Sequence, residues 1–161
     1  MVSPGPGDLP GLLRQAAQAV EQAFGLRPDE VAILLLVDQA RLLKFVHPPE
    51  LAKGGENLVP VTVPSLASQA LQRRQAVIEN DAPRARHVFA YEGLFGSRLP
   101  IQKMLSLPLI HGQAVLGVIQ VSRRAPSRAE AGNDFTAADA AKLQEVIRSY
   151  LEALTRLGPA A

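Results

Sequence analysis

The chain has 161 residues, 47% hydrophobic and 20% charged, with a formal net charge of +2; this is a globular composition of single-domain size, able to bury a core without staples. It has no cysteine, which excludes disulfides, thiolate catalysis, iron–sulfur clusters and cysteine zinc sites. Aromatics are only 4%, and Arg73, Arg74, Arg84, Arg86, Arg123, Arg124 and Arg128 are loosely scattered, so these arginines are expected on a solvated surface, with no nucleic-acid partner.

Residues 1–7 are rich in Pro and Gly and read as a disordered tail. They lack the basic start and apolar run of a secretory signal. The longest wholly apolar run, residues 31–37, is far short of the ~20 residues that a spanning helix needs. The expectation is a cytoplasmic protein with no membrane partner.

Asp8 is placed to cap a first helix, with Pro10 in its opening turn. Leu9, Leu12, Leu13, Ala16, Ala19, Val20 and Ala23 recur at helical spacing, and Gly25 and Pro28 end the pattern. Residues 31–37 predict a strand buried on both faces, residues 38–41 a turn, and residues 42–47 a second strand. Residues 58–63 predict an edge strand, since Pro60 has no N–H to give a ladder. Ser65 then caps a helix that buries Leu66, Ala67, Ala70 and Leu71, and residues 77–79 are briefly extended.

Residues 82–100 show no clean period and read as a partly helical covering segment. Residues 101–122 predict a hairpin turning at His111-Gly112. Lys103 interrupts one parity of its strands, while Gln102, Ser106, Gln120 and Ser122 mark the other. Both faces are otherwise apolar, so the sheet is expected to be covered on both sides. After a polar loop, Thr136 caps a last helix carrying Leu143, Ile147, Tyr150, Leu154 and Leu157 as a stripe. The whole reads as one α+β domain over residues 8–157, with a frayed end at 158–161.

The hairpin and final helix resemble the GAF family of sensory domains. The matching residues are Leu105-Ser106-Leu107-Pro108-Leu109, Gly112, Leu116-Gly117-Val118-Ile119, and then Phe135-Thr136 with Asp139 and Leu143. Upstream, Ala76-Val77-Ile78-Glu79-Asn80-Asp81 is similar to the segment after the family's middle helix. The resemblance covers roughly residues 10–155. It implies a central antiparallel sheet of five or six strands, with the N- and C-terminal helices on one face. An irregular or helical segment would cover a pocket on the other.

Members that bind cyclic nucleotides carry an Asn-Lys…Phe…Asp-Glu signature. Here Ser122 and Arg123 stand in place of Asn and Lys, Phe135 and Asp139 match, and Ala140 replaces Glu. These departures weigh against a cyclic nucleotide, and Arg123 with Asp139 is read as a structural ion pair. The family's methionine sulfoxide reductases and cysteine-linked bilin proteins need thiols that this chain lacks.

His47, His87 and His111 are far apart, without metal-ligand spacing, so no metal or cofactor is expected. Glu79 and Asp81 share a strand parity, but no nucleophile or oxyanion donors accompany them, and the chain is read as a non-enzyme. Candidate ligand-binding residues are Asn80, Asp81, His87, Phe89, Tyr91 and Ser106, a mix of apolar wall and converging polar groups. Against this stands a pocket collapsed around the aromatics, which would leave a pure interaction or dimerisation scaffold. Val146 and Leu151 widen the apolar arc of the last helix. Leu143, Val146, Ile147, Tyr150 and Leu154 are therefore the candidate interface of a homodimer. The partners expected are a small-molecule ligand, a second copy, or another protein.

Overall fold

The computed structural model describes residues 7–52, 58–84 and 99–159. The expectations for the tail, and for most of the segment from 82 to 100, lie outside these residues. Helix α1 (Leu9–Phe24) opens at Asp8, whose carboxylate accepts the Gly11 N–H at 3.0 Å, and it ends at Gly25. Strands β1 (Val31–Val37) and β2 (Leu42–His47) follow, with a four-residue helix α2 (Pro49–Ala52) after them. Then come β3 (Leu58–Pro60), α3 (Leu66–Arg73) and β4 (Val77–Glu79). Ser65 caps α3 by accepting the Ser68 N–H, as expected. Strands β5 (Ile101–His111) and β6 (Ala114–Arg124) form the long hairpin, and α4 (Ala137–Leu157) closes the fold.

The six strands make one antiparallel sheet in the order β3-β2-β1-β6-β5-β4. The expected antiparallel sheet with both terminal helices on one face is the one observed. Pro60 sits in an edge strand, where its missing N–H costs no ladder bond. The hairpin turns at Gly112-Gln113, one residue later than His111-Gly112, because His111 still pairs with Ala114. Gly112 supplies the positive φ of 65° that a tight two-residue turn requires.

Alternation divides the sheet into two faces. Ile33 and Leu35 of β1, Leu105, Leu107 and Leu109 of β5, and Ile119 and Val121 of β6 point to α1 and α4. Ala32, Leu34 and Leu36, with Met104 and Val118, point to α3. At the centre, Gly117 lies so close to β1 that an added Cβ would collide with the Leu34 carbonyl oxygen. The two middle strands are in register only because that side chain is absent.

Two expectations, one about a charge and one about an apolar side chain, are corrected. Arg124 is not on a solvated surface. Its side chain is buried at the sheet end, donating to the carbonyls of Asp29 and Leu99, while its N–H meets the buried Glu30 carboxylate at 2.7 Å. The guanidinium's donations to those two carbonyls, with the Asp29 carboxylate 3.8 Å from Nε, offset the cost of burying it. Leu151, taken as surplus to the last helix's seam, is 4% exposed and belongs to the core. No helix among the described residues is long and apolar enough to cross a membrane.

Candidate functional site

The face toward α3 carries polar side chains in the middle of an otherwise apolar core. Ser106 of β5 is completely buried, and Gln120 stands opposite it on β6, donating from Nε2 to Ser106 Oγ at 3.0 Å. Two residues on, Ser122 faces the same way and donates to the Glu30 carbonyl at 3.4 Å. Met104, Val118 and Leu34 surround this row. Buried polar groups in a central strand cost free energy unless bonded, so their presence at these positions is informative.

The expected ligand set is not brought together as a whole. Ser106 is on the α3 side, but Asn80 turns to the opposite one. Its amide oxygen accepts the Phe135 N–H at 2.8 Å, and its Nδ2 donates to the Phe135 carbonyl at 3.1 Å. Phe135 itself is buried in the core beneath the terminal helices. Asp81 is held at the surface by ion pairs to Arg84 (3.6 Å) and Arg128 (3.5 Å). His87, Phe89 and Tyr91 lie outside the described residues. Glu79 accepts the Asp81 N–H at 3.0 Å, so the two carboxylates are bound into local structure and do not converge.

The entry into α4 is tied down from several strands at once. Asn80, at the end of β4, holds the Phe135 backbone. Lys103 of β5, buried, reaches the Asp134 carboxylate at 2.7 Å and the Gly132 carbonyl at 2.6 Å. That hydrogen bond holds the Asp134 carboxyl below the usual carboxylate range. Arg123 of β6, the cross-strand neighbour of Lys103, places its guanidinium 4.6 Å from the centre of the Phe135 ring. The expected ion pair between Arg123 and Asp139 is therefore corrected. Asp139 accepts from the Thr136 N–H at 2.9 Å and completes the cap of α4.

The candidate dimer stripe is largely spent within one chain. Leu143, Ile147 and Leu154 are buried against the sheet and α1. Of the five residues only Val146 and Tyr150 remain half-exposed. Sequence reasoning noted Gln120 and Ser122 only as markers of strand parity. An extra residue in β6 at Leu116 shifts the register and sets Gln120, not Ile119, across from Ser106. A hairpin counted outward from its turn misses that shift.

The GAF domain family model matches residues 7–155. The chain belongs to the GAF family. Its fold is shared with a methyl-accepting chemotaxis protein fragment at TM-score 0.70 and 17% identity, over 93% of this chain and 90% of that one. The GAF domain of a two-component sensor histidine kinase from Bacillus halodurans is similar at TM-score 0.64 and 18% identity, over 95% and 99%. So is a type II free methionine-R-sulfoxide reductase from Thermoplasma acidophilum, at TM-score 0.62 and 17% identity, over 90% and 91%. At these identities the likeness carries the fold alone. No curated protein matches the sequence. GAF domains are sensory and signalling modules, and this chain is one of them.

Proposed function

We propose that this GAF domain is a cytoplasmic sensor that binds a small ligand on the α3 side of its sheet and signals through its terminal helices, without catalysis of its own. The observation that carries this reading is the fastening of α4. Strands β4, β5 and β6 each hold the segment just before it, through Asn80, Lys103 and Arg123. The same β5–β6 hairpin presents Ser106 and Gln120 to the other face. A ligand that competes for those two polar groups shifts the strands whose opposite side chains seat α1 and α4. It biases the helices by its differential affinity for the two arrangements. The half-exposed Val146 and Tyr150 are then the surface through which a second copy or another protein reads the change.

A thermal-shift screen with nucleotides and metabolites tests this. A ligand at a hundredfold excess over Kd stabilises by about 2.7 kcal/mol, several degrees in Tm for a domain of this size. The shift is expected to vanish in Gln120→Leu. If no compound raises Tm and Gln120→Leu is at least as stable as the parent, the Ser106–Gln120 pair satisfies only itself. The domain is then an interaction scaffold.

A further inference from the structure

On the opposite face, α1 and the outer strand β2 flank a groove of about 470 Å³, within the range of small-molecule sites. Leu9, Leu13, Val46 and Pro48 give it apolar walls, and none of them belongs to the Ser106–Gln120 row. Four charged side chains also line it: Arg14 and Glu21 from α1, Lys44 from β2 and Glu50 from α2. Among the described residues, none of these four side chains makes an ion pair or a hydrogen bond.

The local backbone is shaped to bring His47 into this groove. Strand β2 carries one extra residue at Val46, because Leu34 pairs with Phe45 while Ile33 pairs with His47. Without that bulge, alternation would send His47 to the α3 side with Phe45. With it, His47 stands beside Ile33 on the helix side and lines the groove, buried and without a side-chain hydrogen bond among the described residues. Burial keeps its imidazole toward the neutral form, while the nearby charges of Glu50 and Arg14 act on it in opposite directions. Those two therefore stand at the His47 end. Glu21 is two helical turns from Arg14, roughly 10 Å along α1. Lys44 is three residues from His47, roughly 10 Å along β2.

We propose that the groove is a second binding site, for a zwitterionic small molecule with an apolar body, of the size of an apolar amino acid or dipeptide. The lining carries two cations and two carboxylates with no mutual ion pair. A simple anion would leave Glu21 and Glu50 facing it, and a simple cation would leave Arg14 and Lys44. A molecule bearing both an ammonium and a carboxylate uses both kinds in charge-assisted hydrogen bonds. Its apolar part lies on Leu13 and Val46, and His47 offers one neutral polar contact.

Calorimetric titration and amide NMR of the full chain with L-leucine, L-phenylalanine and the dipeptide Leu-Leu test the proposal. Saturable binding is expected, with shifts centred on Arg14, Gln18, Lys44 and His47. The tighter binder of the three sets whether an amino acid or a dipeptide is the better fit. Acetylating the amine or amidating the carboxylate should each weaken binding about tenfold, as should Arg14→Ala or Lys44→Ala at these exposed positions. Gln18→Trp, which fills the groove from an exposed helix position, should do at least as much. Ser106→Ala should leave binding unchanged. The proposal is overturned if none of the three probes saturates by about 10 mM, if the capped probes bind equally well, or if Ser106→Ala rather than Gln18→Trp abolishes binding. The first two results leave the reading of the Ser106–Gln120 row untouched, and the third would move the probe to that row.

Discussion

The two faces of this sheet are built to different rules. The helix side is an apolar seam in which both terminal helices meet the three central strands, and three of its polar members, Lys103, Arg123 and Asn80, fasten the entry to α4. The α3 side has one eight-residue helix as its described cover and keeps Ser106, Gln120 and Ser122 among its apolar residues. Dense apolar packing transmits a displacement because it has no slack. A polar row inside a core can change partners. On the function proposed above, output belongs to the helix side and the Ser106–Gln120 recognition row to the α3 side.

The largest test of that division strikes both faces together. Gly117→Ala puts a methyl group into the Leu34 carbonyl and forces β1 and β6 apart, which should cost about 3 kcal/mol or more. The midpoint of urea unfolding measures it, and a loss under about 1 kcal/mol would mean that the central register is slack.

A smaller effect sharpens the comparison at the joint between sheet and helix. Asn80→Ala leaves the Phe135 N–H and carbonyl without their partner and should cost about 1–3 kcal/mol. Hydrogen exchange should quicken in the first turn of α4 and not in α3. Equal quickening in both would contradict a joint that serves α4 alone.

The smallest effect concerns the groove on the helix side. Burial holds His47 below its ordinary pKa. As pH falls below about 6.5, the unfolded chain takes up a proton that the folded chain resists, and stability drops until the folded pKa is passed. His47→Gln should flatten that part of the Tm–pH curve while leaving the region above pH ~7 unchanged. A variant curve parallel to the parent's would show that His47 titrates as freely in the fold as in the unfolded chain.

Much of this was legible in the residues because it rests on local rules. Asp8, Ser65 and Thr136 announced their helices, since a cap is a contact between residues three apart. The bounds of β1 and β2 followed from runs of apolar residues stopped by Asp38 and Pro48. The family resemblance added the layer order, which periodicity alone does not contain. Gly117 and Phe135, both among the residues that carry the resemblance, stand in the structure as a point of close approach and a buried anchor.

What tertiary structure alone decided is the facing of side chains where the register slips. Single extra residues at Val46 and Leu116 turn His47 toward the helices and bring Gln120 opposite Ser106. One residue reverses every face beyond it in a strand of period two, and no local composition marks where that happens. Asn80 and Phe135, or Arg124 and Glu30, are likewise many residues apart. Only the closed sheet brings such partners within hydrogen-bonding distance, and that is why the groove and the fastening of α4 stayed out of sight until the chain was seen folded.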